Sequence, residues 1–260
     1  MARAFQWTQE QVQDMVTSYQ QGESAQLIGK RYGTSHQVIQ SLLAKQGVLL
    51  RSNADANRRQ TYDAHYFQFI DTEEKAYWLG FLTADGCITP GKKPGQSMRL
   101  SLHLALQDYE HLVKLKSALQ ASQTISTSER SCSFTIFSSE IAADLVQHGI
   151  LPKKTFSTKP AQVAPELARH YWRGVIDGDG YISKDRKQLT LIGDYEVVSG
   201  FQAFVLAHCP KVKASIFRNE NIYTFKVTGT AAMQVLEVLY EGATVCLERK
   251  YERAFPQALR

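Results

Sequence analysis

The hydrophobic positions of this chain follow two periods, that of a helix and that of a strand. Within the first 50 residues, apolar side chains recur every three to four positions, as on one face of a helix. Thr8, Ser24 and then Thr34 or Ser35 precede these stretches and are typical N-caps, so three short helices are predicted. The residues expected to face inward are Val12, Met15, Val16, Tyr19, Val38, Ile39, Leu42 and Leu43.

Beyond residue 65, short runs of alternating character indicate antiparallel strands. Leu100, Leu102 and Leu104 alternate with polar residues, which predicts a strand with one apolar and one polar face. The order of elements is helix, two strands, helix, two strands, helix in residues 65–160, and it repeats in residues 161–260. Each half should therefore form a four-stranded antiparallel sheet under helices, with Asp108 and Asp194 capping the helix after the second strand.

One stretch of sequence occurs twice. AYWLGFLTADGCI at 76–88 and HYWRGVIDGDGYI at 170–182 align without gaps. Asp179 lies 94 positions after Asp85, its counterpart in the first copy. Repetition at this distance indicates a duplicated half-domain rather than a short solenoid repeat.

Small residues lie four apart in both copies. Gly80 with Ala84, and Gly174 with Gly178, share one face of their helix, so two backbones can approach closely. Each helix then stops at Asp-Gly, with glycine expected in the left-handed conformation. If the helices pair, two carboxylates converge at two negatively polarised helix ends, where a cation such as Mg²⁺ would neutralise them. A plain helix stop is the alternative reading of one copy alone.

The two stretches WLGFLTADG (78–86) and WRGVIDGDG (172–180) resemble the two motifs of a single-chain LAGLIDADG homing endonuclease. The resemblance covers roughly residues 62–255. It implies an α+β fold in which a pseudo-twofold pair of αββαββα halves forms a DNA-binding saddle from its antiparallel sheets. Thr83 and Arg173 depart from the family pattern, and Arg173 takes the place of a small residue near the expected helix contact.

The same resemblance implies a function. We expect a site-specific endonuclease that hydrolyses both strands of a long asymmetric double-stranded DNA target and leaves short 3′ overhangs. It implies that Asp85 and Asp179 are catalytic metal ligands, assisted by the main-chain carbonyls of Ala84 and Gly178. Mg²⁺ is the expected cofactor, with Mn²⁺ substituting for it and Ca²⁺ binding without cleavage.

A lysine follows each half at a matching distance. Leu151 precedes Lys154 in the first half as Leu247 precedes Lys250 in the second. The family has a lysine near each metal, so Lys154 and Lys250 are expected to activate the attacking water or stabilise charge on the phosphate. Ordinary surface lysines are the alternative, as are the adjacent Lys153 and Arg249.

The first three helices resemble a helix-turn-helix of the homeodomain-like kind, because a tight Tyr-Gly-Thr link joins the last two. Residues 1–50 would then form a DNA-binding domain whose third helix enters the major groove. Glutamine there can pair bidentately with adenine. The residues expected to face bases are Ser35, His36, Gln37 and Gln40. A small helical bundle that contacts protein is the alternative.

Further DNA contacts are expected from a linker and from the polar sheet faces. Residues 51–64 form a basic linker that should lie along phosphates, unless it is only a solvated tether. Its basic residues are Arg51, Arg58 and Arg59. The polar sheet positions expected to reach the major groove are Arg99, Ser101, His103, Arg186, Gln188, Thr190, Lys213 and Lys226.

Composition adds little to this picture. The chain has 260 residues, a net charge of +5 and 43% hydrophobic residues, enough for a core and a small accessory domain. Its four cysteines form no C-x-x-C pair, and it has no signal peptide or long apolar run. We therefore expect a monomer without an obligate protein partner, in a prokaryotic or phage-infected cytoplasm or an organelle, neither secreted nor in a membrane.

Two other classes of protein use the same scaffold. A transcription regulator would bind DNA without cutting it, and an RNA-splicing maturase would act on an intron. Replacing Asp85 or Asp179 separates these possibilities, because only a nuclease would lose cleavage while it keeps DNA binding.

Overall fold

The computed structural model describes residues 7–20, 23–48, 50, 60–91, 97–152 and 159–256. The predictions for Arg51, Arg58, Arg59 and Lys154 lie outside these ranges, as does most of the predicted Pro-Gly turn before residue 97. The chain divides into two compact units, Met1–Arg59 and Gln60–Arg260. Among the described residues, no helix is long and apolar enough to cross a membrane.

The described residues of the first unit form three helices, α1 (Gln9–Gln20), α2 (Ala25–Arg31) and α3 (His36–Lys45). Thr8 and Gln11 form a reciprocal capping box, in which the amide of Gln11 donates to Thr8 Oγ1 and the amide of Thr8 donates to Gln11 Oε1. Ser24 and Ser35 cap the next two helices, as predicted. The shared core consists of Met15, Tyr19, Ala25, Ile28, Ile39 and Leu43.

The second unit contains the two predicted halves. The first half comprises α4 (Glu73–Asp85), β1 (Cys87–Thr89), β2 (Arg99–Ala105), α5 (Tyr109–Ala118), β3 (Ser126–Thr127), β4 (Ser131–Phe137) and α6 (Ser139–Gln147). The second comprises α7 (Ala168–Asp179), β5 (Gly180–Ile182), β6 (Gln188–Gly193), α8 (Tyr195–His208), β7 (Ser215–Asn219), β8 (Ile222–Thr228), α9 (Thr230–Tyr240) and α10 (Glu248–Ala254).

The two sheets share one topology. Each has four antiparallel strands, in the order β1-β2-β4-β3 and β5-β6-β8-β7. Alternate strand residues such as Leu102, Leu191 and Phe225 are buried under the helices. The α+β fold with two four-stranded antiparallel sheets is therefore confirmed, and the buried residues of both halves form one hydrophobic core.

Three local predictions were wrong. Val38 was expected to face inward, but its side chain is 37% exposed. Asp108 stands at the N-cap of α5 without a side-chain capping bond, because an arginine from the other half holds its carboxylate. Lys213 was placed on a strand, but it is an exposed residue that precedes the first residue of β7.

Candidate metal centre and nucleic-acid interface

The two repeated helices, α4 and α7, pack backbone against backbone. A Cβ atom added at Gly80 would lie 1.9 Å from the carbonyl oxygen of Tyr171, and one added at Gly174 would lie 2.1 Å from that of Tyr77. Real side chains do not approach so closely, so glycine is required at both positions. The contact is reciprocal, as expected for two copies of one motif related by a pseudo-twofold axis.

The same contact brings the two helix ends together. A Cβ atom at Gly178 would lie 2.3 Å from Cβ of Ala84 and 3.4 Å from Oδ2 of Asp85. Asp179 is the next residue after Gly178 and is the last residue of α7, as Asp85 is of α4. Both aspartates are solvent-exposed. The structure therefore gathers the predicted metal-binding residues at one end of the helix pair.

The glycines after these aspartates do not adopt the left-handed conformation that was predicted. Gly86 has φ −68° and ψ 141°, and Gly180 has φ −80° and ψ 156°, both extended. The chain passes from helix directly into strand, so no reversal is needed. Glycine is required for space instead, because a Cβ atom at either position would lie 2.6 Å from a carbonyl oxygen one turn earlier.

The side chain of Lys250, a residue of α10, contacts the C-terminal end of α7. Its buried Nζ donates to the carbonyl oxygens of Ile176 at 2.6 Å, Asp177 at 2.7 Å and Gly180 at 2.7 Å, with a longer contact of 3.3 Å to Gly178. The carbonyls of Asp177 and Gly178 belong to the last turn of α7, which a helix end leaves without intrahelical partners, whereas that of Ile176 also accepts from the amide of Gly180.

Two opposing effects act on the pKa of Lys250. Burial lowers the pKa of Lys250 to about 8, while the negative charges of Asp177, Asp85 and Asp179 favour its ammonium form. The ammonium thus offsets the charge of both exposed aspartates. The ammonium is buried, and it contacts the main-chain carbonyls at the end of α7 rather than the aspartates' surface side.

Asp177 is buried in the core and does not join the two exposed aspartates. Its carboxylate accepts hydrogen bonds from the hydroxyls of Tyr77 at 2.8 Å and Tyr240 at 2.5 Å, and from the amide of Leu247 at 2.7 Å. Burial raises the pKa of Asp177, against the effects of Lys250 and these donors. Asp177 thereby ties α7 to the segment that carries Lys250.

Arg173, which departs from the family pattern, does not disturb the helix contact. Its fully buried guanidinium donates to the carbonyls of Leu239 and Val245 and pairs with Glu73 at 2.8 Å. Glu73 belongs to the first half, so this ion pair joins the two halves. Sequence reasoning missed it, because nothing in the local pattern marks an arginine as buried.

A second ion pair across the halves was also missed. Nε of Arg249 lies 3.0 Å from Oδ1 and 3.1 Å from Oδ2 of the buried Asp108. Asp108 was expected to cap a helix, and Arg249 was an alternative to the catalytic lysine. In the sequence, only the matching lengths of the two halves indicate that the segments carrying Asp108 and Arg249 come together.

The predicted DNA-contacting residues of the sheets differ in accessibility. Arg99, His103 and Lys226 are exposed and Gln188 is partly buried, whereas Arg186 was predicted on a sheet face but lies in the turn between β5 and β6. Ser101 and Thr190 occupy equivalent central positions and are only 3% and 8% exposed. Small side chains in a central strand are covered by their neighbours, so these two sites offer little surface to a ligand.

The third helix of the first unit presents its N-terminal residues to solvent. Ser35, His36 and Gln37 are exposed, and Gln40 is partly buried. The hydroxyl oxygen of Ser35 accepts from the amide of Val38, so Ser35 acts as a helix cap. Gly33 has φ +64°, which permits the tight turn between α2 and α3.

The donor set limits what cation could bind. Among the described ranges, no three His, Cys, Asp or Glu side chains form a cluster able to hold a metal ion. The exposed carboxylates of Asp85 and Asp179 stand with neighbouring main-chain carbonyls. Mg²⁺ usually takes one or two protein carboxylates and completes its shell with water and substrate phosphates, so these residues fit it.

Comparison with known proteins gives a limited result. No protein-family model and no curated protein matches the sequence. The LAGLIDADG meganuclease I-AabMI bound to uncleaved DNA is similar at 13% identity and TM-score 0.48, over 68% of this chain and 86% of that chain. I-SmaMI bound to uncleavable DNA is similar at 12% identity and TM-score 0.49, over the same shares of 68% and 86%.

A third similar structure is full-length WhiA from Thermatoga maritima, at 17% identity and TM-score 0.44, over 74% of this chain and 63% of that chain. Similarity at these values assigns no activity to this chain.

Proposed function

We propose that this chain is a divalent-metal-dependent, site-specific endonuclease of double-stranded DNA, of the LAGLIDADG homing endonuclease class. The observation that carries the proposal is the convergence of Asp85 and Asp179 at the exposed end of a reciprocal helix contact. Two carboxylates at negatively polarised helix ends repel each other, and a bound divalent cation would add to the ammonium of Lys250 in offsetting that repulsion. A plain helix stop does not explain why two such ends should meet.

Each residue of the centre has a role in this proposal. Asp85 and Asp179 hold the cation, with main-chain oxygens of Ala84 and Gly178 nearby. A bound divalent cation would supply activation of water and neutralisation of phosphate charge. Lys250 fixes the end of α7 and offsets the aspartates' charge, so we propose that it acts by positioning. Lys154 is proposed as its counterpart in the first half.

The sheet faces are proposed to hold the DNA. Arg99, His103 and Lys226 are exposed on the side away from the helices and can reach phosphates or bases in the major groove. The two faces carry different residues, so the target should be asymmetric. We propose that a single copy of the chain suffices, because both halves of the centre lie in one polypeptide.

The first unit is proposed to extend the footprint. Its α2 and α3 are joined by a tight turn, and the start of α3 exposes His36 and Gln37. This arrangement suits major-groove reading by a helix-turn-helix. It also favours a second candidate function, DNA binding without cleavage, as in a transcription regulator.

One experiment separates the two functions. The full chain is incubated with a randomised duplex library, first with Ca²⁺ to select bound DNA and then with Mg²⁺ to cleave it. We expect Asp85→Asn and Asp179→Asn to abolish double-strand cleavage while binding persists. Asp71→Asn is the matched control, since Asp71 is an exposed aspartate that pairs with Lys75.

Specific binding without cleavage by the unaltered protein would support the binding-only function. Absence of any sequence-specific binding would contradict both functions. Cleavage that survives both aspartate substitutions would contradict the proposed centre.

A further inference from the structure

Equivalent rows of side chains differ between the two sheets. On the first sheet, His103 pairs with Ser133, which pairs with Ser126. On the second sheet, Ile192 pairs with Thr224, which pairs with Phe217. We call these the polar row and the apolar row. Both contain one residue from each of the three corresponding strands.

The internal repeat makes the two rows equivalent. The residue after each Asp-Gly, Cys87 or Tyr181, pairs with the second strand of its sheet at Ser101 or Thr190. The rows begin two residues later on that strand. The two rows therefore lie on corresponding faces of their sheets, at the same number of residues along the strand from the Asp-Gly of each repeat.

The apolar row faces away from the core. Ile192 is 50% exposed and Phe217 is 55% exposed, whereas Leu191 and Phe225, on the other face, are completely buried. Tyr181 and Ile222 are exposed on the same face, at 51% and 47%, and a group of large exposed apolar side chains indicates a contact surface. In the first sheet the same three positions carry a histidine and two serines.

The surroundings of the apolar row suit a polyanion. Lys226 is exposed on the same face, two residues from Thr224 along β8. Among the described residues of these four strands, none of those pointing away from the helices is acidic. A ligand that combines negative charge with small apolar groups would complement this face, and the major groove of DNA offers both.

We infer that the apolar row reads the 5-methyl groups of thymine in the half of the target bound by the second sheet. The polar row would read its half by hydrogen bonds. In the major groove only thymine, of the four unmodified bases, presents a methyl group, and threonine methyl and phenylalanine ring atoms are typical contacts for it. The inference rests on the proposed function, because it requires that the sheet faces hold DNA.

The test compares thymine with deoxyuridine, which lacks only that methyl group. A duplex selected by the full chain in Ca²⁺ is resynthesised with deoxyuridine in one half or in the other. Burying one methyl group corresponds to an affinity ratio of about fourfold. We expect about a fourfold loss for each contacted thymine in one half of the target and no comparable loss in the other.

Two variants assign the effect to the apolar row. The triple change I192H/F217S/T224S gives the second sheet the residues of the polar row, so affinity should no longer depend on the methyl groups. Leu206→Ser is the control, since Leu206 is an exposed apolar residue on α8. It should keep the full deoxyuridine effect.

The outcomes are distinguishable. Specific DNA binding with equal affinity for both bases, or a methyl effect that survives I192H/F217S/T224S, overturns the inference and leaves the proposed function standing. Absence of specific DNA binding overturns both.

Discussion

The hydroxyl of Tyr77 donates a hydrogen bond of 2.8 Å to Asp177 on the opposite helix. The repeat maps Tyr77 onto Tyr171 and Asp177 onto Thr83. Tyr171 indeed donates to Oγ1 of Thr83, at 3.3 Å. Each tyrosine therefore donates a hydrogen bond to the corresponding position of the other helix. The acceptor is a carboxylate for Tyr77 and a hydroxyl for Tyr171.

The reciprocal glycine contact gives the first prediction. Gly174→Ala places a methyl group about where the carbonyl of Tyr77 lies, and we expect a loss of about 3 kcal/mol or more in the free energy of unfolding. Gly193→Ala is the control, since Gly193 ends strand β6 outside the left-handed region and an added Cβ would meet nothing within 4 Å. It should change stability by less than about 0.5 kcal/mol. Urea denaturation measures both, and equal midpoints would refute the close contact.

The buried Arg173 gives the second prediction. Arg173→Met removes the arginine partner of Glu73, which keeps its bond from the amide of Thr244, and the donor to two buried carbonyls, so unfolding should become easier by about 3–5 kcal/mol. In a double-mutant cycle with Glu73→Gln, we expect the two effects to be strongly non-additive, because both groups belong to one network. Additive effects would show that this ion pair does not couple the halves.

Lys250 gives the third prediction. Lys250→Met removes the donor to the carbonyls of Ile176, Asp177 and Gly180, and should destabilise the protein by about 3 kcal/mol. Lys211→Met, at an exposed position, serves as the control. Cleavage of a selected duplex should slow in Lys250→Met even at low temperature, where the variant remains folded. Unchanged stability would contradict the helix-end contacts.

Buried His111 gives a prediction about pH. Its Nε2 lies 3.0 Å from the hydroxyl of Tyr77, and burial lowers its pKa from 6.5 to about 3. Below about pH 6.5 the unfolded chain binds a proton that the native state excludes, so stability falls as pH falls, by up to about 1.4 kcal/mol per pH unit. Burial also lowers the pKa of His170, to about 4, with the same sign.

The measurement is the free energy of unfolding in urea at several pH values between neutrality and about pH 5. His111→Gln should be less stable at neutral pH, but its deficit should shrink as the pH falls, since one excluded proton is gone. Parallel curves for the variant and the unaltered protein would contradict this assignment.

Much of the fold was predictable because it depends on local pattern. The caps at Thr8, Ser24 and Ser35, the alternation along β2 and the repeated small residues of α4 and α7 are all short-range signals. Repetition added the one long-range fact, that Asp85 and Asp179 should lie together. The catalytic and DNA-binding roles stay predictions.

The remainder depends on contacts between distant segments. The burial of Arg173 depends on Glu73, which lies 100 positions away, and Asp108 pairs with Arg249 of the other half instead of capping its helix. The extended glycines after the motif helices follow from the immediate start of a strand. The apolar row could not be predicted from the sequence, because its three residues come from three separate strands.

The two helices of the α4–α7 contact carry different charged residues. Under the repeat, Arg173 corresponds to Leu79 and Glu73 to Leu167. A homodimer of first halves would have no arginine for Glu73, and a homodimer of second halves would enclose two guanidinium groups with no carboxylate from that position. Fusion in one polypeptide therefore enforces the only stoichiometry in which these charges cancel.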